Sequence, residues 1–144
     1  MQAIRSFLIV LFMAVAFTAV AQQTISISEL VNTKWRVENN WISDYKEYTL
    51  TEIIWKRKDG SFFKYPYYLT DTPVTSYDKS VFDYSKVGKS KKGSYMVSIN
   101  EKMGIVYCSS IESFDKKKGV LVIKVVTQGL IGASGGIERY KLVK

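Results

Sequence analysis

The sequence predicts an all-β protein, a single antiparallel eight-stranded up-and-down barrel preceded by a short helical turn. Two observations lead to this prediction. The stretch from Gly93 to Val126 holds three strand-like runs separated by two charged turns, which is the pattern of an antiparallel meander. Most other strand-like runs are also joined by short links, and a meander that closes on itself leaves no exposed strand edges.

The first residues predict a secretory signal peptide over residues 1–21. Arg5 supplies a positive charge, Phe7 to Val20 is almost wholly apolar, and Ala19-Val20-Ala21 has the small-x-small pattern of a cleavage site. The alternative, a transmembrane anchor, needs a longer apolar run. We therefore expect residues 22–144 to fold as one barrel domain that is secreted to the periplasm or outside, with no transmembrane segment after removal of the signal.

The remaining elements follow from the hydrophobic pattern, taken in chain order. Ser28 is expected to cap one helical turn, and alternation predicts a first strand at residues 34–38. Residues 45–56 are expected to form a second strand, and the slip of phase near Thr51-Glu52 is interpreted as a bulge that bends it. After a hairpin turn at Asp59-Gly60, the other predicted strands are residues 62–70, 80–86, 94–99, 105–114, 120–127 and 137–143.

Composition excludes several classes of function. The chain has no histidine, so catalytic triads, general bases and metal sites that depend on histidine are excluded. Cys108 is the single cysteine. It cannot form an intramolecular disulfide, and its position inside a strand favours burial. The 21 Lys and Arg exceed the 13 Asp and Glu, but no recognition motif accompanies them, so no nucleic-acid partner is expected. No cofactor or metal is expected either.

Two short motifs resemble the calycin group, and most of all the small secreted lipocalin-like domains of bacteria. Asn32-Thr33-Lys34-Trp35 lies where lipocalins carry Gly-x-Trp at the start of the first strand. Ile137 to Leu142 resembles the closing strand, in which an arginine often packs over that tryptophan. The resemblance implies that Trp35 plugs one barrel end and that Arg139 lies across it in a cation–π contact.

The chain departs from that family pattern in three respects. Thr33 replaces the glycine of the first motif, and the chain lacks the C-terminal helix and disulfide of a full lipocalin. The fatty-acid-binding branch has Arg-x-Tyr in its last strand, whereas Arg139 and Tyr140 are adjacent here and must face opposite sides. A carboxylate-binding pair is therefore not carried over.

Aromatic side chains are the first candidates for a binding site, because several share strand faces. A closed eight-stranded barrel has room inside for side chains or for one small ligand. Tyrosine adds a hydroxyl that needs a partner to an otherwise apolar surface. The alternative is that these rings simply fill the core. The candidates for the cavity wall are Trp55, Tyr65, Tyr67, Phe82, Tyr95 and Tyr107.

Basic turns are a second candidate feature. Lysine clusters occur at residues 56–58, 89–92 and 116–118. If alternate turns share one barrel end, two or three clusters could converge on an anionic partner. The alternative is that they keep the turns soluble. The Gly-rich loop at residues 128–136 has no nucleotide-binding motif, and Leu130 and Ile131 make it either a lid over the open end or a flexible connection.

The acidic residues do not define a catalytic pair. Asp44 with Glu47, Asp71 with Asp78, and Glu112 with Asp115 are the pairs that could be considered, and nothing in their spacing places two carboxylates at a glycosidase distance. The leading expectation is therefore a secreted, non-catalytic protein that holds a small, partly apolar or amphipathic ligand in the barrel. The alternative is a protein-binding or inhibitor module that acts through basic turns and the barrel surface.

The predicted strand at residues 120–127 raises a question about its outer face. Leu121, Ile123 and Val125 are expected to face inward because Lys124 belongs outside. Their neighbours Val120, Val122 and Val126 then form an outer face that is more apolar than a solvated wall. Either residues 24–31 or a second copy of the chain, in a homodimer, is expected to cover it.

Overall fold

Eight strands close into one antiparallel barrel in the structure, which is a computed structural model. The structure describes residues 22–38, 43–127 and 136–144. Some sequence features lie outside the described residues: the expected signal peptide, Asn39-Asn40, which is typical of a turn or an irregular link, and residues 128–135 of the Gly-rich loop with Leu130 and Ile131.

The predicted up-and-down topology is confirmed. In chain order the elements are β1 (Ile25–Ser26), α1 (Ile27–Leu30), β2 (Thr33–Val37), β3 (Ser43–Tyr48), β4 (Glu52–Arg57), β5 (Phe62–Thr70), two 3-10 turns (Lys79–Val81 and Tyr84–Lys86), β6 (Lys92–Gly93), β7 (Tyr95–Asn100), β8 (Ile105–Asp115), β9 (Val120–Val125) and β10 (Ile137–Leu142). Strands adjacent in the barrel follow the order β2-β3-β4-β5-β7-β8-β9-β10, and β10 pairs with β2 to close it. A separate two-stranded sheet joins β1 to β6.

The expected single strand at residues 45–56 is wrong, because it is a hairpin of β3 and β4. The backbone N–H of Thr49 donates to the Glu52 carbonyl at 2.9 Å, and the Thr49 hydroxyl accepts from the Glu52 N–H at 2.9 Å. Tyr48 and Ile53 then face each other across the hairpin. The slip of phase marks a turn, since both residues point inward from different strands.

The expected strand at residues 80–86 is also wrong. Two Asp-x-Ser sequences form 3-10 turns there instead: the Asp78 carboxylate accepts from the Ser80 N–H at 2.9 Å, and the Asp83 carboxylate accepts from the Ser85 N–H at 3.0 Å. Asp favours such caps over extended backbone because its side chain bonds the chain two residues on. The barrel still has eight strands, as predicted, because the β3–β4 hairpin contributes two strands where one was expected.

Residues 22–30 close one end of the barrel. Ile27 donates its N–H to the Lys91 carbonyl at 2.8 Å, and the Gln23 side chain exchanges two hydrogen bonds with the backbone of Phe114, at 2.9 and 2.8 Å. Ile25, Ile27 and Leu30 pack into the barrel core. The helical turn begins after Ser26 and not after Ser28, with the Glu29 carboxylate accepting from the Ser26 N–H at 3.0 Å. The segment therefore plugs the barrel and does not cover its outer wall.

The interior near this closed end is solid. Inward positions alternate along each strand, and Leu121 and Ile123 of β9 face the core as the pattern predicts. The side chains that are at most 1% exposed include Trp35, Tyr48, Tyr67 and Tyr140. Burial of rings this large supplies most of the hydrophobic stabilisation of a small barrel. With no disulfide available, this packing holds the fold.

A second apolar cluster lies outside the barrel, on the outer faces of β5, β7 and β8. The segment with the two 3-10 turns lies over it, and Phe82 packs on Tyr68 with ring centroids 5.1 Å apart. Cys108 is fully buried in this cluster, as its strand position predicts, and burial raises the pKa of its thiol. Val126 also packs against the cluster. Residues 74–87 of the same chain thus cover part of the outer face that Val120, Val122 and Val126 were expected to form.

Candidate functional site

A cavity of about 270 Å³ occupies the half of the barrel opposite the closed end. This open end is where β4 joins β5 and where β7 joins β8. The wall is mostly apolar with a few polar groups, which is the usual make-up of a small-molecule pocket. Its lining residues are Lys46, Ile53, Trp55, Met96, Ser98, Tyr107, Ser109, Ile123, Val125, Gly136, Ile137 and Glu138.

Three of the six aromatic candidates lie together at this cavity. Trp55 and Tyr107 line its wall. The Tyr65 ring lies between them, with centroids 6.2 Å from Trp55 and 6.5 Å from Tyr107. All three were named as candidates for the cavity wall, although residues 105–108 are apolar on both faces of their strand and alternation alone does not orient Tyr107. A role in binding stays a prediction for each.

Tyr67 is inside the barrel but belongs to the solid core. It is fully buried, packs edge-on against Tyr48 with centroids 5.8 Å apart, and donates its hydroxyl to the Thr49 carbonyl at 2.7 Å. Its hydroxyl therefore has a partner at the β3–β4 turn. The two interpretations of the aromatic residues, core filling and cavity wall, each apply to one half of the barrel.

Phe82 and Tyr95 do not reach the interior, and their expected place in the cavity is wrong. Phe82 lies on the segment that covers the outer wall, because residues 80–86 are not a barrel strand. Tyr95 shares its face with Val97 and Ile99, and this face packs under the covering segment. A strand that is apolar on the outside too gives no local sign of which face is inward.

The expected contact between Trp35 and Arg139 is also wrong. Trp35 is fully buried and packs against Phe114 with centroids 5.7 Å apart. Arg139 is exposed on the outer face of β10, next to Tyr140, which points into the core. The register pairs Trp35 with Leu142, three residues beyond Arg139. Trp35 does plug the closed end, but neighbouring strands hold it there, and no lysine or arginine of the described residues lies over its ring.

A polar group that the sequence analysis missed lies at the wall of the cavity. The Lys46 ammonium donates to the Tyr140 hydroxyl at 2.7 Å and lies 3.5 Å from Oε2 of Glu138. The Tyr140 hydroxyl donates to the same carboxylate oxygen. The ammonium is also 4.6 Å from the centre of the Trp55 ring, within cation–π range. The sequence does contain a signal for this group. Lys46 is two residues from the buried Tyr48, and Glu138 is two residues from the buried Tyr140, so each charged residue shares the inward face of its strand.

The charges of this group are mutually stabilised. Burial by itself raises the pKa of the Glu138 carboxyl, but the Lys46 ammonium and the hydrogen bonds from Tyr140 and Lys46 outweigh burial and hold that pKa below its ordinary value of 4.5. Burial and the nearby Glu138 charge raise the pKa of Tyr140 well above its ordinary value. At neutral pH Glu138 is thus a carboxylate and Tyr140 a neutral phenol.

Tyr48 lies below this group with an unsatisfied hydroxyl. Its oxygen is buried and has no hydrogen-bond partner among the described residues. Burial raises the pKa of Tyr48, and the nearby Tyr67 and the Glu138 carboxylate raise it further. A buried hydroxyl without a partner costs free energy, so this position favours a water or a ligand group that can bond it.

The ion pair should make stability depend on pH in a specific window. Because the folded pKa of Glu138 is depressed, its contribution is present above the ordinary value of 4.5 and is lost as pH falls through the folded pKa. Glu138→Gln is expected to remove the part of the stability loss at low pH that is caused by protonation of Glu138. The variant should also lose about 1–2 kcal/mol of unfolding free energy at pH 7, less than for a fully buried pair, since the Glu138 side chain is 39% exposed.

Urea unfolding from pH 3 to 7 measures both effects. The matched control is Glu38→Gln, which removes the partner of Lys141 in a pair whose lysine side chain is 74% exposed. It should change stability by less than about 1 kcal/mol. Equal pH profiles for the wild type and Glu138→Gln would contradict the depressed pKa.

The other charged candidates lie away from the cavity. The lysines at residues 89–92 and 116–118 share the closed end, whereas residues 56–58 lie at the open end. Asp44 and Glu47 contact different cations, Arg36 and Lys34. Among the described residues that line the cavity, Glu138 alone carries a carboxylate. Within the described part of the chain, no group of three or more Cys, Asp or Glu side chains is placed to hold a metal ion.

The fold and cavity define a class: a closed eight-stranded antiparallel barrel that is plugged at one end and has a cavity in its other half, compatible with a lipocalin-like fold. Comparison of the chain with protein-family models, with curated proteins and with solved structures gave no match. Among residues 22–38, 43–127 and 136–144, no helix is long and apolar enough to cross a membrane.

Proposed function

We propose that this protein is a secreted, non-catalytic, lipocalin-like binding protein of the calycin group that holds one small, largely apolar ligand with a polar end. The observation that carries the proposal is the cavity of about 270 Å³, which has an apolar wall and the Lys46–Glu138–Tyr140 group on one side. This volume is just below the usual range of roughly 300–1,000 Å³ for small-molecule sites, so it suits a small ligand.

The polar group favours an uncharged ligand head. Lys46 and Glu138 already offset each other at 3.5 Å, so a charged ligand would add an unpaired charge to a partly buried site, which is costly. Both contacts to the Glu138 carboxylate fall on Oε2. A hydroxyl, amide or amine N–H of the ligand can therefore be accepted at Oε1 without breaking the existing bonds.

The test is binding of N-phenyl-1-naphthylamine, an uncharged apolar probe with one N–H, and binding is measured by the fluorescence of the probe. The wild type should enhance the fluorescence saturably at one site per chain. Ser98→Phe should abolish this signal, because Ser98 lines the cavity and the ring would fill it. Val125→Phe, at a half-buried position on the same wall, should weaken binding with less risk to folding.

Thr72→Phe is the matched control. Thr72 is exposed just after β5, so a phenylalanine ring there would add apolar surface outside the barrel. Probe binding that survives in both Ser98→Phe and Val125→Phe would overturn the proposal. So would binding that disappears equally in Thr72→Phe. Native mass spectrometry of protein purified from its source would show a co-purified ligand.

The second candidate is a protein-binding or inhibitor module. It is favoured by the basic turns at residues 89–92 and 116–118, which the fold brings to the same barrel end. This function would be insensitive to Ser98→Phe and would be lost when these lysines are replaced by glutamine. Comparison of Ser98→Phe with the lysine-to-glutamine variants therefore separates the two candidates.

A further inference from the structure

Exposed apolar side chains are concentrated at the open end of the barrel. Of the seven exposed large apolar side chains among the described residues, four are at this end. Phe62 is 56% exposed, Phe63 is 39% exposed, Met103 is 66% exposed and Ile137 is 58% exposed. Phe63 stacks on Tyr65 with ring centroids 6.3 Å apart, yet it and the other three side chains keep a large part of their apolar surface in solvent. Exposed apolar surface that is concentrated in one place marks an interaction site.

The β4–β5 hairpin extends this surface beyond the end of the neighbouring strand β7. Tyr67 pairs with Ser98 on β7, and the Tyr65 hydroxyl accepts from the Asn100 side chain at 3.5 Å. Since β7 ends at Asn100, the β5 residues before Tyr65 run past the end of the neighbouring strand. Phe62 and Phe63 are therefore on a projecting tip, beside the cavity mouth.

The same tips are basic. Residues 56–64 and 101–103 together hold five Lys and Arg against two acidic residues, Asp59 and Glu101. Asp59 is engaged by Ser61, whose N–H and hydroxyl both donate to its carboxylate. The Arg57 guanidinium lies 5.3 Å from the Phe63 ring. We define the open-end rim as Arg57, Lys58, Phe62, Phe63, Lys102 and Met103.

We propose that the open-end rim docks the barrel, mouth first, on an anionic lipid membrane surface. Apolar rings at a protruding tip can enter the boundary between headgroups and acyl chains, while the surrounding cations stay at the headgroups. Anionic lipid attracts each Lys or Arg near its surface. A second copy of the chain would bring a second basic rim against the first, so charge complementarity favours the membrane.

This proposal goes beyond ligand binding and does not depend on it. Docking by the open-end rim brings the mouth of the cavity to the bilayer, so a ligand could pass between barrel and lipid without crossing water. Docking itself needs only the rim.

The experiment is co-sedimentation with sucrose-loaded vesicles of phosphatidylcholine alone or with 30% phosphatidylglycerol, on the order of the anionic content that attracts basic segments. The wild type should bind the anionic vesicles and much less the neutral ones. Lys58→Gln with Lys102→Gln should weaken binding about 30-fold, from about fivefold per cation. Phe62→Ser with Phe63→Ser should weaken it at least about tenfold, since both rings are partly exposed.

The matched control is Lys116→Gln with Lys117→Gln, which makes the same change of net charge at the closed end. It should bind like the wild type. Binding lost equally in this control, or kept in the Phe62/Phe63 variant, would overturn the proposal, because contact would then be by charge alone. A dimer seen by analytical ultracentrifugation that the Phe62/Phe63 variant disperses, with no vesicle binding, would also overturn it in favour of self-association.

Discussion

Replacement of Trp35 by alanine is expected to lower the free energy of unfolding by about 3–5 kcal/mol, the cost of removing a buried aromatic ring. Trp35 is 0% exposed and packs against Phe114. Its indole N–H donates to the Thr33 hydroxyl at 2.8 Å, and that hydroxyl donates to the Leu30 carbonyl at the end of α1. The substitution therefore leaves a large void and disconnects the residues that plug the closed end.

The measurement is the urea midpoint and slope at neutral pH. Trp55→Ala is the control, because Trp55 lies half-buried at the cavity wall, where the space it leaves joins a cavity already present. It should cost clearly less than Trp35→Ala. Thr33→Val separates the hydrogen-bonded chain from the packing and should cost about 1 kcal/mol. A smaller loss for Trp35→Ala than for Trp55→Ala would contradict the closed-end assignment.

Gly93→Ala is expected to cost about 3 kcal/mol, at the upper end of the range for overpacked sites, although it adds a single methyl group. A Cβ at Gly93 would lie 2.4 Å from the backbone nitrogen of Thr70 and 2.6 Å from its carbonyl oxygen. These atoms belong to β5 and cannot move without breaking barrel pairing. The clash would instead push β6 away, and with it the paired β1 and the plug formed by Ile25, Ile27 and Leu30.

Amide hydrogen exchange locates this effect. The N–H groups of Gln23 and Ile27, which donate to Ile111 and Lys91, should exchange faster in Gly93→Ala than in the wild type. Gly60→Ala is the control. Its φ is +88°, but a Cβ there meets no atom within 4 Å, so it should cost about 1–2 kcal/mol from backbone conformation alone. Stability within 0.5 kcal/mol of wild type in Gly93→Ala would mean that this close approach does not exist.

The alternation of polar and apolar residues was sufficient to predict which side chains face the core wherever one face of a strand is polar. In β9, Lys124 marks the outer face, and Leu121 and Ile123 are inward as predicted. Local patterns failed where both faces are apolar. Phe82 and Tyr95 carry the residue types of a cavity wall, but Phe82 is part of the segment that covers the outside of the barrel and Tyr95 lies beneath that segment.

Turns were a second source of error. The Asp78-Lys79-Ser80 and Asp83-Tyr84-Ser85 sequences each contain the side-chain acceptor and N–H that form a 3-10 turn, and this repeated signal outweighs the apolar residues between them. At Thr49–Glu52, a side-chain cap produces a tight turn without glycine or proline. Side-chain capping is local chemistry, so these turns could be predicted from the sequence.

The Lys46–Glu138–Tyr140 group could be predicted only in part. Phase places Glu138 on the same face as Tyr140, and Lys46 on the same face as Tyr48. That the two charges meet depends on β10 pairing with β2, which in turn pairs with β3. A charged inward residue is stable only when its partner is supplied by closure of the barrel.

Alternation and short turns are local properties of the chain, so they were enough to predict an antiparallel meander that closes into a barrel. They did not place every strand, since residues 45–56 form the hairpin of β3 and β4 and residues 80–86 form no barrel strand. The tertiary structure decided which faces became the interior, what covers the outer wall, and which residues meet at the cavity. These depend on contacts between residues far apart in the chain, such as Lys46 with Glu138 and Gly93 with Thr70. Such contacts exist only once the barrel has closed.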